Sequence, residues 1–271
     1  YLQEDQTEPG TFFGIQGKHI IKFDLHPNSP AVNFIPYHEF GDPTAILQLQ
    51  DTILVADGRK QCIVAVNARN STTSTHSGTC STGFSKTLDG PFTDAKYDHL
   101  YDLATFNQNQ THIYLTDGDH LRLIDQLLQT VTTLYTGEWY LRRIAFQHDR
   151  IYIGGSKGIL MLHGSNYSEV GLVQLNNSVV KQTRYGKRNV TSPYGMGQFF
   201  LLSQNLILAS CSQNDLTKGS ERLVLFDVEK KQSVMVCNGD RRQQRFCGNK
   251  VIIPGFITTI NETLYIAQPK G

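Results

Sequence analysis

A short antiparallel unit between Leu88 and Gly137 constrains the fold of this sequence more than any other stretch. Inside it, the runs THIYLTD and HLRLIDQ place apolar residues at alternate positions, and Gly118 and Asp119 join them. Alternation with a period of two is typical of β-strands, and a tight glycine-containing pair between two such runs indicates a hairpin. With YDLATF before the hairpin and TVTTLYT after it, the stretch predicts four consecutive antiparallel strands.

The same two-strand signature recurs along the chain. The further copies are TFFGIQGKHIIKFDL (11–25), TILVADGRKQCIVAVN (52–67), RIYIGGSKGILMLHG (150–164), NLILASCSQNDLTKGSERLVLFDVE (205–229) and a first half in TLYIAQPKG (263–271). A spacing of about 40 to 60 residues is typical of four-stranded propeller blades. No apolar stripe with helical periodicity is present in the sequence. The pattern therefore predicts an all-β chain built from repeated sheet units.

The repeat favours a β-propeller, in which four-stranded antiparallel blades pack face to face and bury surfaces that a single blade leaves exposed. Six copies of the second strand favour six blades. Five blades are the alternative, because the last copy has no third strand within the sequence. A β-sandwich is the competing architecture, but it does not predict a fixed internal order. We expect residues 1–271 to form a single propeller domain.

One blade also resembles a known family. The segments DGPFTDAKY, YDLATF, IYLTDGDHLRLID and VTTLYTG, between Asp89 and Gly137, are similar to the NHL-repeat family of β-propellers. VADGRKQCIVAV resembles that family over the hairpin alone. The copies after Arg150 keep the apolar pattern but place Gly154 or Ser210 near the position of the family's aspartate. The resemblance implies the propeller fold, and one NHL family, the peptidyl-amidating lyases, binds zinc through histidines that converge on the propeller axis.

Charge and hydropathy exclude several classes of partner. The formal net charge is +1, so no overall field favours nucleic acid or an anionic membrane. No apolar run approaches the roughly 20 residues that span a bilayer. The sequence starts at Tyr1 with neither a signal peptide nor a methionine, which is typical of a processed or trimmed chain. We predict no membrane insertion within this chain and no nucleic-acid partner.

Sequons and cysteines indicate an extracellular protein. The six N-x-S/T sequons are at Asn70, Asn109, Asn166, Asn176, Asn189 and Asn261. The five cysteines show no metal-binding CxxC spacing, and paired thiols persist in oxidising compartments. We predict disulfides Cys62–Cys80 and Cys237–Cys247, with Cys211 unpaired inside a strand. Five free buried thiols are the alternative.

Catalytic motifs are weak. Asp57 and Asp117 each end a strand before a glycine. One interpretation makes them metal ligands or acids that face the central channel. The other makes them Asx-turn acceptors for the backbone of their own hairpins, and we favour this one. Five histidines lie in scattered contexts, namely His99, His112, His120, His148 and His163. The sequence contains no G-x-S-x-G and no phosphate-binding loop. We predict no metal and no cofactor. Because propellers assemble sites from several blades, a metal-assisted lyase or hydrolase with its site in the central channel is the alternative.

Three sets of basic and aromatic residues are the candidate binding residues. They are Trp139, Tyr140, Arg142 and Arg143; Lys181, Arg184, Tyr185, Lys187, Arg188 and Tyr194; and Arg241, Arg242 and Arg245. Each set is predicted to lie in a loop that joins the last strand of one blade to the first of the next, so all three open on one face. Arginine and aromatic residues are enriched at the centres of protein interfaces. An anionic glycan is a weaker candidate partner, and a solvated rim is the alternative without function.

The sequons sort by face in the predicted blades. Asn109 and Asn261 fall between first and second strands, and Asn70 and Asn166 between third and fourth, which places these four on the face opposite the linkers. Only Asn176 and Asn189 fall on the linker side. Glycans are bulky, so the linker side should be the more open one. The sequence predicts a secreted or cell-surface glycoprotein propeller that acts as a protein-binding (recognition or adhesion) module; a purely structural matrix protein is a third possibility.

Overall fold

The computed structural model describes most of the chain, and every regular element within the described residues is a β-strand. The described residues are 2–5, 8, 10–24, 32–33, 40–83, 86–106, 110–156, 158–174, 178–183, 186–191, 194–203, 206–213, 221–230, 232–238, 256–260 and 263–267. The all-β prediction is confirmed. The chain divides into two compact units, Tyr1–Ile144 and Ala145–Gly271. The assignment of 1–271 to one domain stays a prediction.

Three antiparallel sheets lie in the described part of the first unit. The first has the order β1 (Leu2–Glu4), β2 (Thr11–Gln16), β3 (His19–Asp24) and β4 (Val32–Asn33). The second has the order β5 (Pro43–Leu49), β6 (Thr52–Asp57), β7 (Cys62–Asn67) and β8 (Thr73–Ser77). The third contains β9 (Gly90–Pro91), β10 (Leu100–Thr105), β11 (His112–Asp117), β12 (His120–Asp125) and β13 (Thr130–Thr136). In it, β9 pairs with the outer edge of β13.

The described strands of the second unit form two four-stranded sheets and two strand pairs. One sheet has the order β14 (Leu141–Gln147), β15 (Arg150–Gly155), β16 (Gly158–His163) and β17 (Glu169–Gln174), and β14 crosses the division between the units. The other has the order β20 (Tyr194–Leu201), β21 (Leu206–Gln213), β22 (Glu221–Asp227) and β23 (Gln232–Asn238). The pairs are β18 (Ser178–Thr183) with β19 (Gly186–Thr191), and β24 (Phe256–Ile260) with β25 (Thr263–Ala267).

The recurring hairpins form as the alternation predicted. Each of the five complete copies is an antiparallel pair, and these are β2–β3, β6–β7, β11–β12, β15–β16 and β21–β22. In all five a preceding strand pairs with the first member, in the order predicted for a four-stranded blade. The half copy at the end of the sequence is β25, which pairs with β24. The choice between six and five blades stays a prediction.

The core of the first unit explains why the strands are apolar on both faces. Alternate residues of β6 belong to different clusters: Leu54 and Ala56 pack with residues of the third sheet, whereas Ile53 and Val55 pack with residues of the first. All four side chains are almost fully buried. A sheet enclosed between two others needs apolar residues at every position of its inner strands, so β6 reads TILVA rather than as an alternating run.

The turns between third and fourth strands share two local features. Asn67 and Asp125 each accept hydrogen bonds from the backbone nitrogens two and three residues further on, at 2.9 to 3.1 Å. Each of the three turns also has a residue with positive φ one or two positions before its fourth strand. These are Ser71 (58°), Gln129 (52°) and Tyr167 (57°). The repeat therefore extends to the loop geometry, although the loop sequences differ.

The second unit has its own apolar core. Tyr152, Ile159 and Met161 of one sheet pack with Ile207 and Phe226 of the other. The side chains described here are buried to at least nine-tenths. The described residues contain no helix that is long and apolar enough to cross a membrane.

Candidate functional site

The linkers between blades and the turns between second and third strands meet at one end of the sheets in the first unit. We call this end the linker face and define it by the described residues 58–61, 78–83, 86–101, 118–119 and 137–142. Backbone hydrogen bonds tie its parts together: Gly118 N donates to His99 O, Leu141 N to Gly118 O and Gly137 N to Asp119 O, each at 2.8 Å. The opposite end carries the turns 68–72 and 126–129, and we call it the turn face.

Two aspartates hold the linkers in place. Asp117 Oδ1 accepts hydrogen bonds from the backbone nitrogens of Asp98 and His99, both at 2.8 Å. Asp57 accepts in the same way from Gly41 N at 2.7 Å and Asp42 N at 3.0 Å. The structural interpretation of these aspartates agrees with the contacts, but most of their partners lie in the preceding linker rather than in the hairpin itself.

Arg122 completes the support beneath the face. Its side chain has no exposed surface and donates to Asp117 Oδ2 at 2.8 Å, to the carbonyl oxygens of Lys96 and Leu88 at 2.7 Å, and to Asp89 Oδ1 at 3.0 Å. Burial raises the pKa of Asp117 against the opposing effect of Arg122. Sequence reasoning missed this arginine, although a cation between apolar residues in HLRLIDQ is the signal that could have found it.

Three aromatic rings and an arginine form a cluster on the linker face. The His99 ring lies 6.4 Å from the Tyr101 ring and 5.8 Å from the Tyr140 ring, and the two tyrosine rings meet edge to face at 6.4 Å. The Arg142 guanidinium lies 5.7 Å from the centre of the Tyr101 ring. Tyr140 is 48% exposed. We call His99, Tyr101, Tyr140 and Arg142 the aromatic cluster.

A cavity of about 350 Å³ opens beside the cluster. Its walls are Gly58, Arg59, Gln61, Thr82, Gly83, Asp98 and His99. Gln61 Nε2 donates to Asp98 O at 2.9 Å and fixes the wall between turn and linker. The Cys62–Cys80 disulfide joins β7 to the segment that carries Thr82. That predicted disulfide is confirmed.

The first set of predicted binding residues lies only partly in a loop, because Trp139 and Tyr140 precede β14 whereas Arg142 and Arg143 are in it. Its members divide between surface and interior. Tyr140 and Arg142 belong to the aromatic cluster, and the half-buried Trp139 lies beside them in the linker. Arg143 is held differently: its guanidinium lies 3.2 Å from Asp102 Oδ1, and the Asp102 carboxylate is almost fully buried. Arg143 therefore stabilises the interior rather than serving the binding surface, and an Arg143→Glu change would place two carboxylates together.

The described residues of the second set lie in strands and not in a loop. Lys181 is in β18, and Lys187 and Arg188 are in β19, which pairs with β18. The prediction of a loop is wrong because the β-branched residues Val179, Val180, Val190 and Thr191 favour extended backbone. Tyr194 begins β20. Arg184, Tyr185, Arg241, Arg242 and Arg245 lie outside the described residues.

Sequence reasoning missed His99, Tyr101 and Arg59 as surface residues of this face. His99 and Tyr101 precede or begin the first strand of their blade, and Arg59 lies in the turn of a β-hairpin. The rule that drew attention to Trp139, namely its place beside a blade-to-blade connection, applies equally to His99 and Tyr101 but not to Arg59.

Two of the sequons have a common geometry. Asn70 and Asn166 are exposed in turns between third and fourth strands, as predicted. Asn70 Oδ1 accepts from Thr72 N at 3.1 Å and Thr72 Oγ1 at 2.7 Å. Asn166 Oδ1 accepts from Ser168 N at 3.1 Å and Ser168 Oγ at 2.8 Å. Asn109, Asn176 and Asn261 lie outside the described residues, and the backbone of Asn189 is in β19.

The remaining predictions concern the other cysteines and a metal site. Cys211 is in β21, as predicted, whereas Cys247 lies outside the described residues and leaves its pairing with Cys237 a prediction. Within the part of the chain that the structure describes, no three His, Cys, Asp or Glu side chains are grouped so that they could hold a metal ion.

Comparisons with known proteins assign the fold. No family model matches this sequence, and no curated protein sequence matches it. Solved structures do: a chain of the nidogen/laminin complex has a TM-score of 0.59 at 12% identity, over 95% of this chain and 84% of that one.

Two further structures have the same fold. The extracellular domain of the one-component system BT4673 from B. thetaiotaomicron has a TM-score of 0.58 at 12% identity, over 88% of this chain and 28% of that one. The N-terminal domain of Nup159 has a TM-score of 0.51 at 10% identity, over 86% of this chain and 59% of that one. These neighbours are β-propellers, and at such low identity they show the fold alone. The chain is a β-propeller of antiparallel blades.

Proposed function

We propose that this chain is an extracellular, NHL-type β-propeller that binds another extracellular protein through its linker face, as the recognition or adhesion module of a secreted or cell-surface glycoprotein. The observation that carries the proposal is the aromatic cluster: an exposed tyrosine packed against a histidine and a second tyrosine, with an arginine over the second tyrosine ring, beside a cavity. Tyrosine and arginine are the residues that contribute most to binding at protein interfaces.

Rigid support favours a binding role for this cluster. His99 is fixed through its backbone by Asp117, and Asp117 is fixed by the buried Arg122. The Thr116 hydroxyl donates to Arg142 O at 3.0 Å. A surface that is already ordered loses little conformational entropy on binding, so more of the contact energy appears as affinity.

Known neighbours and the sequons support the same proposal. The nidogen/laminin structure is a complex between two proteins, and the BT4673 domain is extracellular. On this chain, Asn70 is exposed on the turn face, and we propose that it and Asn166 carry glycans. A disulfide within the first unit agrees with an oxidising compartment. Glycosylation would leave the linker face of the first unit as the open surface.

The turn face carries the competing apolar surface. Leu127 and Leu128 are 77% and 72% exposed at the tip of the turn between β12 and β13. Two leucines at a loop tip make a small patch, whereas the linker face combines aromatic rings, a cation and a cavity. We therefore favour the linker face.

The test is capture of extracellular proteins on the immobilised glycosylated chain, followed by mass spectrometry. We expect Tyr140→Ala and Arg142→Glu each to lower the retained amount of the specific partner by at least about tenfold, since residues at the centre of an interface contribute about 2 kcal/mol or more. The matched control is Arg69→Glu on the turn face, where Arg69 is 77% exposed and pairs with Asp51. Equal retention by Tyr140→Ala and the wild type would exclude the linker face.

A further inference from the structure

Two arginines of the linker face form no ion pair with any carboxylate that the structure describes. Arg59 is exposed at the rim of the cavity, and Arg142 lies over the Tyr101 ring. Among the described residues, neither forms an ion pair with a carboxylate, whereas Arg122 and Arg143 each do. The positive charge of Arg59 and Arg142 is therefore available to an incoming ligand.

The nearby carboxylates are already engaged. Asp98 Oδ2 lies 3.0 Å from His99 Nδ1, and Asp119 Oδ1 lies 3.2 Å from His120 Nε2. Asp117 is buried with Arg122. The histidines thus contact two of the surface acids, whereas Arg59 and Arg142 have no carboxylate partner among the described residues.

We propose that the linker face binds an extended acidic segment of its partner protein, with carboxylates of the segment on Arg59 and on Arg142 and one side chain of the segment in the cavity. This inference rests on the proposed function and adds the chemistry of the partner. Arginine forms paired, charge-assisted hydrogen bonds with a carboxylate, and the cation–π contact with the Tyr101 ring places the Arg142 guanidinium before binding. A cavity of about 350 Å³ is at the small end of ligand pockets and suits one side chain.

The same surface is poorly suited to a sulfated glycan. The side chains of Asp98 and Asp119 are 36% and 46% exposed and lie on the same face as the two arginines. These carboxylates repel a polyanion with charge at every sugar, but an extended peptide can place its acids on the arginines and neutral residues beside the aspartates. Exposed tyrosine rings also provide apolar contact area that a peptide side chain can use.

The experiment selects peptides from a displayed random library on the glycosylated wild-type protein, and then measures the affinity of synthetic copies by calorimetry at physiological salt. We expect the selected peptides to be enriched in Asp and Glu. Arg59→Glu and Arg142→Glu should each weaken their binding by about tenfold or more, because a hydrogen bond to a charged group contributes about 1.5 to 3 kcal/mol. Arg69→Glu should leave it unchanged. A heparin oligosaccharide is titrated in parallel.

Four results would overturn the inference, and they separate it from the proposed function. Neutral or basic peptides that lose affinity in Tyr140→Ala would leave the linker face as the binding surface but remove its acidic specificity. Acidic peptides that bind equally well to both arginine variants would show that Arg59 and Arg142 do not provide the acidic specificity. Heparin binding that is lost in Arg59→Glu, without any selected peptide, would assign the arginines to a glycan. Peptides insensitive to Tyr140→Ala and to both arginine substitutions would contradict the inference and the proposed function together.

Discussion

Replacing Arg122 by methionine should lower the free energy of unfolding by about 3 to 5 kcal/mol, because the change leaves the buried Asp117 without its cation. Methionine keeps much of the volume of the arginine stem, so the loss is mainly that of the charge and its hydrogen bonds. The variant would lose the contacts to Asp117, Asp89 and two backbone carbonyls. Urea denaturation monitored by circular dichroism measures the difference in unfolding free energy between the variant and the wild type.

The pH dependence of this stability deficit, the unfolding free energy of the wild type minus that of Arg122→Met, provides a second readout. Burial already raises the pKa of Asp117, and removal of Arg122 should raise it further. A raised pKa in the folded state means that the native protein holds a proton which the unfolded chain releases, so the deficit should shrink as the pH falls from neutral toward 5. Arg69→Met is the control, since an exposed ion pair contributes less than about 1 kcal/mol. A loss of similar size in Arg122→Met and Arg69→Met would contradict the structural role of Arg122.

Acidification should destabilise the wild-type protein through His76. Burial lowers the pKa of His76 from 6.5 to about 4, with its ring 4.8 Å from the Phe92 ring and its Nε2 atom 3.0 Å from Gln126 Nε2. The unfolded chain takes up a proton below pH 6.5 that the folded protein does not bind until about pH 4. Stability is therefore lost as the pH falls through that interval, by about 2 kcal/mol between pH 7 and pH 5.

The matched variant is His76→Phe, which keeps an aromatic ring against Phe92 and cannot titrate. Its unfolding free energy should fall less than that of the wild type over the same interval, by the amount assigned to the histidine. Denaturation curves at several pH values measure how steeply the unfolding free energy of each protein depends on pH. Parallel slopes in the two proteins would show that another group controls the acid response.

The fold was predictable from the sequence because hairpins are local. Alternation in THIYLTD and HLRLIDQ, joined by Gly118, defines a strand pair without any information from distant residues, and repetition extends the result to the other copies. The paired strands β18 and β19 were not predicted because their basic residues resemble a solvated loop, whereas their valines favour extended backbone.

The site was predictable only in part, for a physical reason. Position in or next to a linker identified Tyr140 and Arg142, but the same criterion could not tell that Arg143, one residue further along β14, pairs with Asp102 from a strand 41 residues earlier. The same criterion could not predict the contact between His99 and Tyr140, since that contact depends on how consecutive blades pack. Local pattern assigns residues to a face, and packing between sheets decides which of them are free to bind.

Two engineered glycans test the central claim, that the partner binds the linker face. Lys86→Asn with Leu88→Thr creates a sequon on the linker face, beside Thr87, whose hydroxyl lies 3.2 Å from His120 Nε2. Leu128→Asn creates one with Thr130 on the turn face, at the position that Asn70 occupies in its own turn. The affinity of the captured partner is then measured for both proteins, with occupancy verified by mass spectrometry and with enzymatically deglycosylated samples as controls. The account predicts that the glycan at position 86 abolishes binding and that the glycan at position 128 leaves it unchanged; the reverse result would contradict it.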